Sequence, residues 1–225
     1  MEITMTSVTD SITETPNRPE VDVEPRRMPS QERSRRRFDA MLDAFAELLG
    51  EIGFEAINTH IVADRAGVPV GTLYQFFPNK YALATALSRR YGTHFSTLVG
   101  DRLSIRPEDA PYDEVFDRLL DAVAGLLFAD ESLIRLWAIT QIVPELHVAR
   151  EEADALVYQV CHSFLAPYLS HLDEEQMRPV VRTFGRTMYA LLFNASQETG
   201  ELRAESVREM KRLVRAYVGS YMVTR

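Results

Sequence analysis

Apolar positions fall at helical spacing along nearly the whole chain. From residue 35 to 52 they recur at Phe38, Met41, Leu42, Phe45, Leu48, Leu49 and Ile52, the spacing that lines one face of a helix. Gly53 ends that pattern. The stretch from Asn58 to Lys80, NTHIVADRAGVPVGTLYQFFPNK, then holds two short helical patterns, His60 to Ala66 and Val70 to Phe76, which meet at Gly67. This spacing predicts a helix-turn-helix. Asn58 is placed to cap its first helix, and Gly67 supplies the positive φ that redirects the chain. Val62, Ala63, Val68 and Leu73 form its small shared core.

Pro78 stops the second short helix and Asn79 caps the next, a linker helix over about 79–103 marked by Leu83, Leu87, Tyr91, Phe95 and Leu98. SIRPEDAP, residues 104–111, reads as a loop near the domain boundary. Val115, Leu119, Val123 and Leu126 mark a helix over about 111–129, followed by a shorter one over 131–141 that Pro144 closes. Another runs over about 145–169, frayed or kinked at its end by Pro167. Asp173 and Gln176 have capping-box spacing and open a helix to about Thr199, with Gly200 as its stop. Pro179 inside that helix argues for a kink or a later start. The last helix spans about 205–222. The expected fold is all-α: an arm over residues 1–32, a helix-turn-helix domain over 33–80, and a larger helical domain over 81–225.

Charge changes the picture because it is unevenly placed. The net charge is -8, but residues 1–25 carry -5, residues 26–90 carry +3 and residues 91–225 carry -6. The basic part coincides with the helix-turn-helix, the electrostatic footprint expected of a DNA binder. Four prolines and few large apolar residues mark 1–29 as disordered. Arg26, Arg27, Arg33, Arg35, Arg36 and Arg37 follow as a basic cluster that reads either as a solvated helix start or as a set of phosphate or minor-groove contacts. No apolar run approaches a membrane span and the N-terminus is not patterned as a signal peptide, so a cytoplasmic protein without a membrane partner is expected. The single cysteine, Cys161, fits a reducing compartment.

Phe54-Glu55-Ala56, Ala63, Arg65-Ala66-Gly67-Val68, Gly71-Thr72-Leu73-Tyr74, Phe77-Pro78 and Lys80 together resemble the DNA-binding domain of the tetracycline-repressor (TetR) family of bacterial regulators. The resemblance covers about residues 35–90. It implies an all-helical homodimer with a divergent C-terminal domain for a small effector. It places Tyr74 and Lys80 at phosphate-contacting positions and Val70, Thr72 and Gln75 on the groove-facing surface of the recognition helix. Lys80 at a helix start opposes the helix dipole, a penalty that a bound phosphate would remove. Pro69 stands where the family has a capping Ser or Thr, Phe76 replaces the commoner Tyr, and the recognition helix has no Arg or Lys. Base reading is therefore assigned to Thr72, Gln75, Val70 against a thymine methyl, and Thr59 or His60. Arg35, Arg36, Asn58, Gly71 and Phe76 complete the candidate DNA surface.

Beyond residue 128 the chain is rich in large adaptable side chains. Phe128, Trp137, Tyr158 and Met188, with Gln141, His147, His162 and Asn194 as polar handles, form a candidate lining for a mostly apolar effector cavity. Core packing is the alternative for each of them taken singly. The last two helices carry surplus apolar surface at Phe184, Met188, Leu191, Leu213, Val214, Tyr217 and Tyr221, read as a four-helix dimer interface or else as ordinary core. No catalytic motif, cofactor motif or metal-ligand spacing stands out. Cys161-His162 are neighbours on a helix and do not face each other. The expected protein is a repressor, not an enzyme, that leaves a near-palindromic operator when its effector binds. A small helical enzyme using the cavity, and an architectural DNA-binding protein without effector, are the two rivals.

Overall fold

The computed structural model describes residues 21–102 and 112–222, with backbone only for 98–102. The described residues form α1 (Glu32–Glu51), α2 (Thr59–Arg65), α3 (Val70–Phe76), α4 (Lys80–Arg102), α5 (Tyr112–Ala129), α6 (Glu131–Ile142), a 3-10 turn at Pro144–Leu146, α7 (His147–Leu165), α8 (Glu174–Ser196) and α9 (Gly200–Gly219). The fold is all-α, and among the described residues no helix is long and apolar enough to cross a membrane. Residues 1–20 of the expected arm and the expected loop at 104–111 lie outside the described residues, as does Leu103.

Helix ends are set where short polar side chains satisfy backbone N–H groups. Asn58 accepts from the N–H groups of His60 (3.0 Å) and Ile61 (3.1 Å). Asn79 does the same for Tyr81 (2.9 Å) and Ala82 (3.0 Å) at the start of α4. Asp130 caps α6, and Asp173 with Gln176 forms the full capping box of α8. Each such cap is worth about 1 kcal/mol. Gly53 and Gly67 both have positive φ, 76° and 65°, and end α1 and α2.

Several expected boundaries move. α8 begins at Glu174 despite Pro179, which removes one hydrogen bond in the second turn without delaying the start. Gly200 does follow the end of α8, but at φ 56° it is also the first residue of α9, which thus starts five residues early and ends at Gly219. α7 stops at Leu165, ahead of Pro167. Ile52 leaves the buried stripe and is 47% exposed, because it is the C-cap of α1 and the helical period no longer places it.

The packing divides into two cores. One joins α1, α2, α3 and the first half of α4 around Met41, Phe45, Leu49, Leu73, Phe77, Leu83 and Leu87. The other joins the second half of α4 to α5, α7, α8 and α9 around Phe116, Leu120, Leu165, Val181, Phe184, Leu192 and Val218. Leu136 of α6 and Leu146 belong to the first core although they lie far along the chain, so α6 packs on α1 and α4 and ties the two halves together.

Residues 21–31, of which 21–29 were expected to be disordered, form a non-helical strap. Its Arg26 N–H donates to the Phe76 carbonyl (2.7 Å) and its Arg26 Nη1 to the Tyr74 carbonyl (3.0 Å), while Arg27 lies 5.0 Å over the Phe76 ring. Asn79 Nδ2 donates to the Asp22 carbonyl (2.7 Å). Composition alone misses this because the strap is held by backbone carbonyls left free at the end of α3, which no local pattern records.

Candidate DNA-reading head and effector cavity

The helix-turn-helix is compact because its inner residues are small or fully covered. Ala63 is 1% exposed and Leu73 0%, and the Val68 N–H donates to the Ala63 carbonyl (3.0 Å) across the turn. α2 is tied to α1 by Arg65, whose guanidinium pairs with Glu51 (2.7 Å) and Glu47 (3.1 Å) and is held above its usual range by those carboxylates. α3 starts on Pro69 at φ -57° with no side-chain cap. Proline's fixed φ serves as the substitute.

On the outer surface His60, Gly71, Tyr74 and Gln75 are exposed, whereas Val70 and Thr72 are half-buried. The Tyr74 hydroxyl shares a 2.8 Å hydrogen bond with the Thr59 hydroxyl, so Thr59, itself buried, positions Tyr74 on α3. Asn58 is exposed but its side-chain oxygen is occupied in capping. Arg35 and Arg36 are exposed on the first turns of α1, where Arg36 pairs with Glu32 (3.1 Å). Arg33, Arg36 and Arg37 border a shallow groove against Ala66, Gly67 and Val68, which brings the basic cluster beside the turn.

Between the second half of α4, α6, α7 and the middle of α8 lies a cavity of about 310 Å³. Trp137 and Tyr189 stack at its inner wall, centroids 5.2 Å apart. Phe95, Leu133, Leu136, Leu156 and Val157 supply most of the remaining apolar surface. Gly92 lets α4 and α7 approach: a Cβ there would lie 2.9 Å from Leu156 Cδ2. The Tyr91 hydroxyl donates to Asp130 (2.8 Å) and bonds Ser132, fixing the start of α6 against α4, and burial pushes this phenol up to about 12. At the mouth stands Arg89, which donates from Nε and Nη2 to Glu152 (2.7 and 2.8 Å) and from Nη1 and Nη2 to Glu24 of the strap (2.6 and 2.7 Å). An outer, more polar recess sharing Trp137, Val157 and Tyr189 is rimmed by Arg150, Arg182 and Arg186.

Two family models match. One described as "Bacterial regulatory proteins, tetR family" covers residues 41–87, and one described as "Tetracyclin repressor-like, C-terminal domain" covers residues 111–217. The chain belongs to the TetR family. The chain is 44% identical over 61 residues to the HTH-type transcriptional repressor KstR of Mycobacterium tuberculosis, a match spanning 27% of this chain and 28% of that one. The Rhodococcus jostii KstR is 46% identical over 52 residues, or 23% and 24% of the two chains. A TetR-family transcriptional regulator from Streptomyces coelicolor aligns over 83% of this chain and 99% of its own at TM-score 0.60 and 26% identity. FadR from Thermus thermophilus, solved with lauroyl-CoA, aligns over 84% and 96% at TM-score 0.57 and 17% identity, which is a likeness of fold.

Within this TetR fold several expected site residues change place. Phe76, assigned to the DNA surface, is 2% exposed and packs edge-on to Phe38 at 5.7 Å, because the strap covers it. Lys80 does not point outward: Nζ donates to the carbonyls of Phe54 (3.0 Å) and Glu55 (3.4 Å) and sits 4.4 Å over the Phe54 ring. Those carbonyls offset the dipole penalty that was assigned to a phosphate.

Of the expected cavity residues, Trp137 lines the main cavity and Gln141 the outer recess. Met188 is buried against a minor apolar void, and Tyr158 and His162 both bond Glu174, which holds that carboxyl below its usual range. His147 is exposed and bonds the Pro144 carbonyl at the start of α7; Asn194 is exposed on α8; Phe128 is packed under Arg203 at 5.0 Å. None of these last three lines the cavity. Phe184, Met188 and Val214, assigned to a dimer face, are 1%, 3% and 1% exposed within one protomer. Their helices pack on each other, so this part of the apolar face is consumed internally. Leu213 and Tyr221 remain 50% and 38% exposed, and Leu191 and Tyr217 are half-buried.

The cavity residues on α4 went unassigned from the sequence. Gly92 was the available signal: a glycine inside a long helix costs about 1 kcal/mol relative to alanine and marks a close approach.

Proposed function

We propose that the protein is a dimeric DNA-binding transcriptional repressor that leaves its operator when a mostly apolar small molecule enters the cavity between α4, α6, α7 and α8. The carrying observation is the coexistence, on one chain, of the helix-turn-helix surface at His60, Gly71, Tyr74 and Gln75 with an apolar cavity whose wall residue Leu136 also belongs to the head core. An effector that wedges against α6 therefore acts on the packing of α1 and α4. It need only bind better to the arrangement in which the two heads are wrongly spaced. No reaction is required. Dimerisation is assigned to α8 and α9 through Leu191, Leu213, Tyr217 and Tyr221. Arg33 to Arg37 and the exposed Tyr74 supply backbone contacts, and Gln75 with Thr72 supplies base contacts.

Selection from randomised duplexes tests this reading. The native protein should enrich a near-palindrome whose half-sites are about one helical turn, roughly 34 Å, apart or somewhat more. Thr72→Ala and Gln75→Ala should shift the preferred bases by about 1–3 kcal/mol per lost contact, whereas Tyr74→Phe should weaken all sequences alike. An unchanged consensus for both groove-facing variants, or a stable monomer at micromolar concentration, would overturn it.

A further inference from the structure

We propose that Arg89 is an anion-recognition subsite of the cavity, that Glu24 is a tethered stand-in for the carboxylate of the effector, and that displacing Glu24 releases the strap from the end of the recognition helix. This rests on reading the cavity as the effector site. Arg89 borders the apolar cavity, and its guanidinium is bound twice over, in bidentate fashion, by Glu152 and by Glu24. One cation facing two carboxylates leaves an excess negative charge, so one carboxylate is exchangeable for another at no electrostatic loss. Glu152 is held in α7. Glu24 is not in a helix, its side chain is 53% exposed, and it is tied down by a few polar contacts. An ion pair this open contributes little net stability, which is what a displaceable group needs.

The rest of the strap determines what displacement does. Two residues on, Arg26 bonds the carbonyls of Phe76 and Tyr74, and Arg27 covers the Phe76 ring. Those carbonyls end the helix that carries Thr72 and Gln75, and Asn79, which holds the strap at Asp22, also caps α4. Cavity mouth and recognition helix are thus joined by three residues of chain, from Glu24 to Arg26. A ligand with an apolar body under Trp137 and a carboxylate at Arg89 takes the place of Glu24 and leaves α3 without its strap. A neutral or cationic ligand of the same body leaves the Glu24–Arg89 pair intact.

The test uses the full chain and straight-chain carboxylates of eight to fourteen carbons, each beside the alcohol of equal length. Quenching of Trp137, the sole tryptophan, reports binding, and amide exchange at Arg26 reports the strap. Carboxylates are expected to bind at least tenfold tighter than their alcohols and to speed exchange at Arg26 tenfold or more; the alcohols should not speed it. Glu24→Gln should bind carboxylates about tenfold tighter with alcohol binding unchanged, and should exchange fast at Arg26 without ligand. Arg89→Gln should remove the carboxylate preference. If carboxylates quench Trp137 while Arg26 stays protected, or if Glu24→Gln leaves the carboxylate-to-alcohol ratio unchanged, the proposal falls and the cavity reading stands. The same holds if only alcohols bind. If no member of either series quenches Trp137, both fall together.

Discussion

In the reading head, Met41, Phe45, Leu73, Phe77, Leu83 and Leu87 are all fully buried, and α2 and α4 both start on a side-chain cap. In the effector domain Trp137 and Tyr189 stand beside about 310 Å³ of open space, while Leu213 and Leu202 remain half-exposed. The head is packed to hold one shape against DNA. The effector domain keeps unfilled volume and uncovered surface, which on the proposed function serve to accept a ligand and a second copy of the chain. Interiors packed at crystal-like density resist deformation, so on the proposed function a ligand would act by moving the walls of the cavity against the dense head. α6 is where they meet, with Leu136 in the head core and its neighbour Trp137 facing the cavity.

The sharpest way to break this contrast is to shorten one leucine in each region. Leu73→Ala empties a site that is 0% exposed and should cost about 2–5 kcal/mol, with loss of specific DNA binding. Leu156→Ala only widens a space that already exists, and should cost about 1 kcal/mol for its partial burial. Urea unfolding of both variants measures the difference. Equal losses would mean that the cavity collapses in solution and that the two regions are equally dense.

Next in size is Gly92→Ala. The new methyl meets Leu156 Cδ2 at 2.9 Å, a flexible side-chain end that moves toward the cavity. Helix propensity gains about 1 kcal/mol, so melting temperature should hold or rise. Effector affinity should fall about tenfold or more, leaving a protein that stays on DNA. A parallel loss of DNA binding and effector binding would show that the close approach of α4 to α7 supports the head as well.

The head was far more legible in the sequence than the cavity, and the reason is locality. Asn58 capping α2, Asn79 capping α4, Gly53 and Gly67 at positive φ, and Leu73 at the centre of the turn are all settled by residues within a few positions of each other. The strap was illegible because Glu24 meets Arg89 across 65 positions, Asp22 meets Asn79 across 57, and Arg26 bonds backbone carbonyls that carry no sequence signal. Phe184, Met188 and Val214 were assigned to a partner chain because periodicity marks an apolar face without saying what covers it; α8 and α9 cover each other. Phe76 and Lys80 were misplaced for a related reason: a motif fixes their position in the chain, while one side chain packs into the head core against Phe38 and the other bonds the Phe54 carbonyl.

A smaller effect separates the two short helices of the head. Asn58→Ala removes a cap that satisfies two N–H groups of α2 and should cost about 1 kcal/mol, read as a lower denaturation midpoint with an unchanged slope. Pro69→Ser offers α3 the side-chain cap it lacks and gives up proline's restraint on the unfolded chain. The two changes oppose each other, so the net shift should stay below that of Asn58→Ala. If Pro69→Ser destabilises more than Asn58→Ala, the fixed φ of proline is what holds the recognition helix in place.

The smallest expected effect is a silence. Cys161 sits in the effector core, 4% exposed, where Gly185 brings α8 close enough that a Cβ would lie 3.4 Å from its Sγ. Burial pushes its thiol up to about 12, so at neutral pH the reactive thiolate is only a trace. Because the folded-state value is raised, the neutral thiol is the form the fold favours, and stability from it is lost only as pH rises above the ordinary thiol range. An aromatic disulfide reagent at pH 7 should therefore label the native protein orders of magnitude more slowly than the urea-unfolded chain, at a rate set by opening of α7 from α8. Effector binding, which favours the folded state, should slow labelling further. Rapid labelling of the native protein would place the looseness of the effector domain in its core as well as in its cavity, and the contrast with the head would then be one of whole-domain stability and not of one unfilled space.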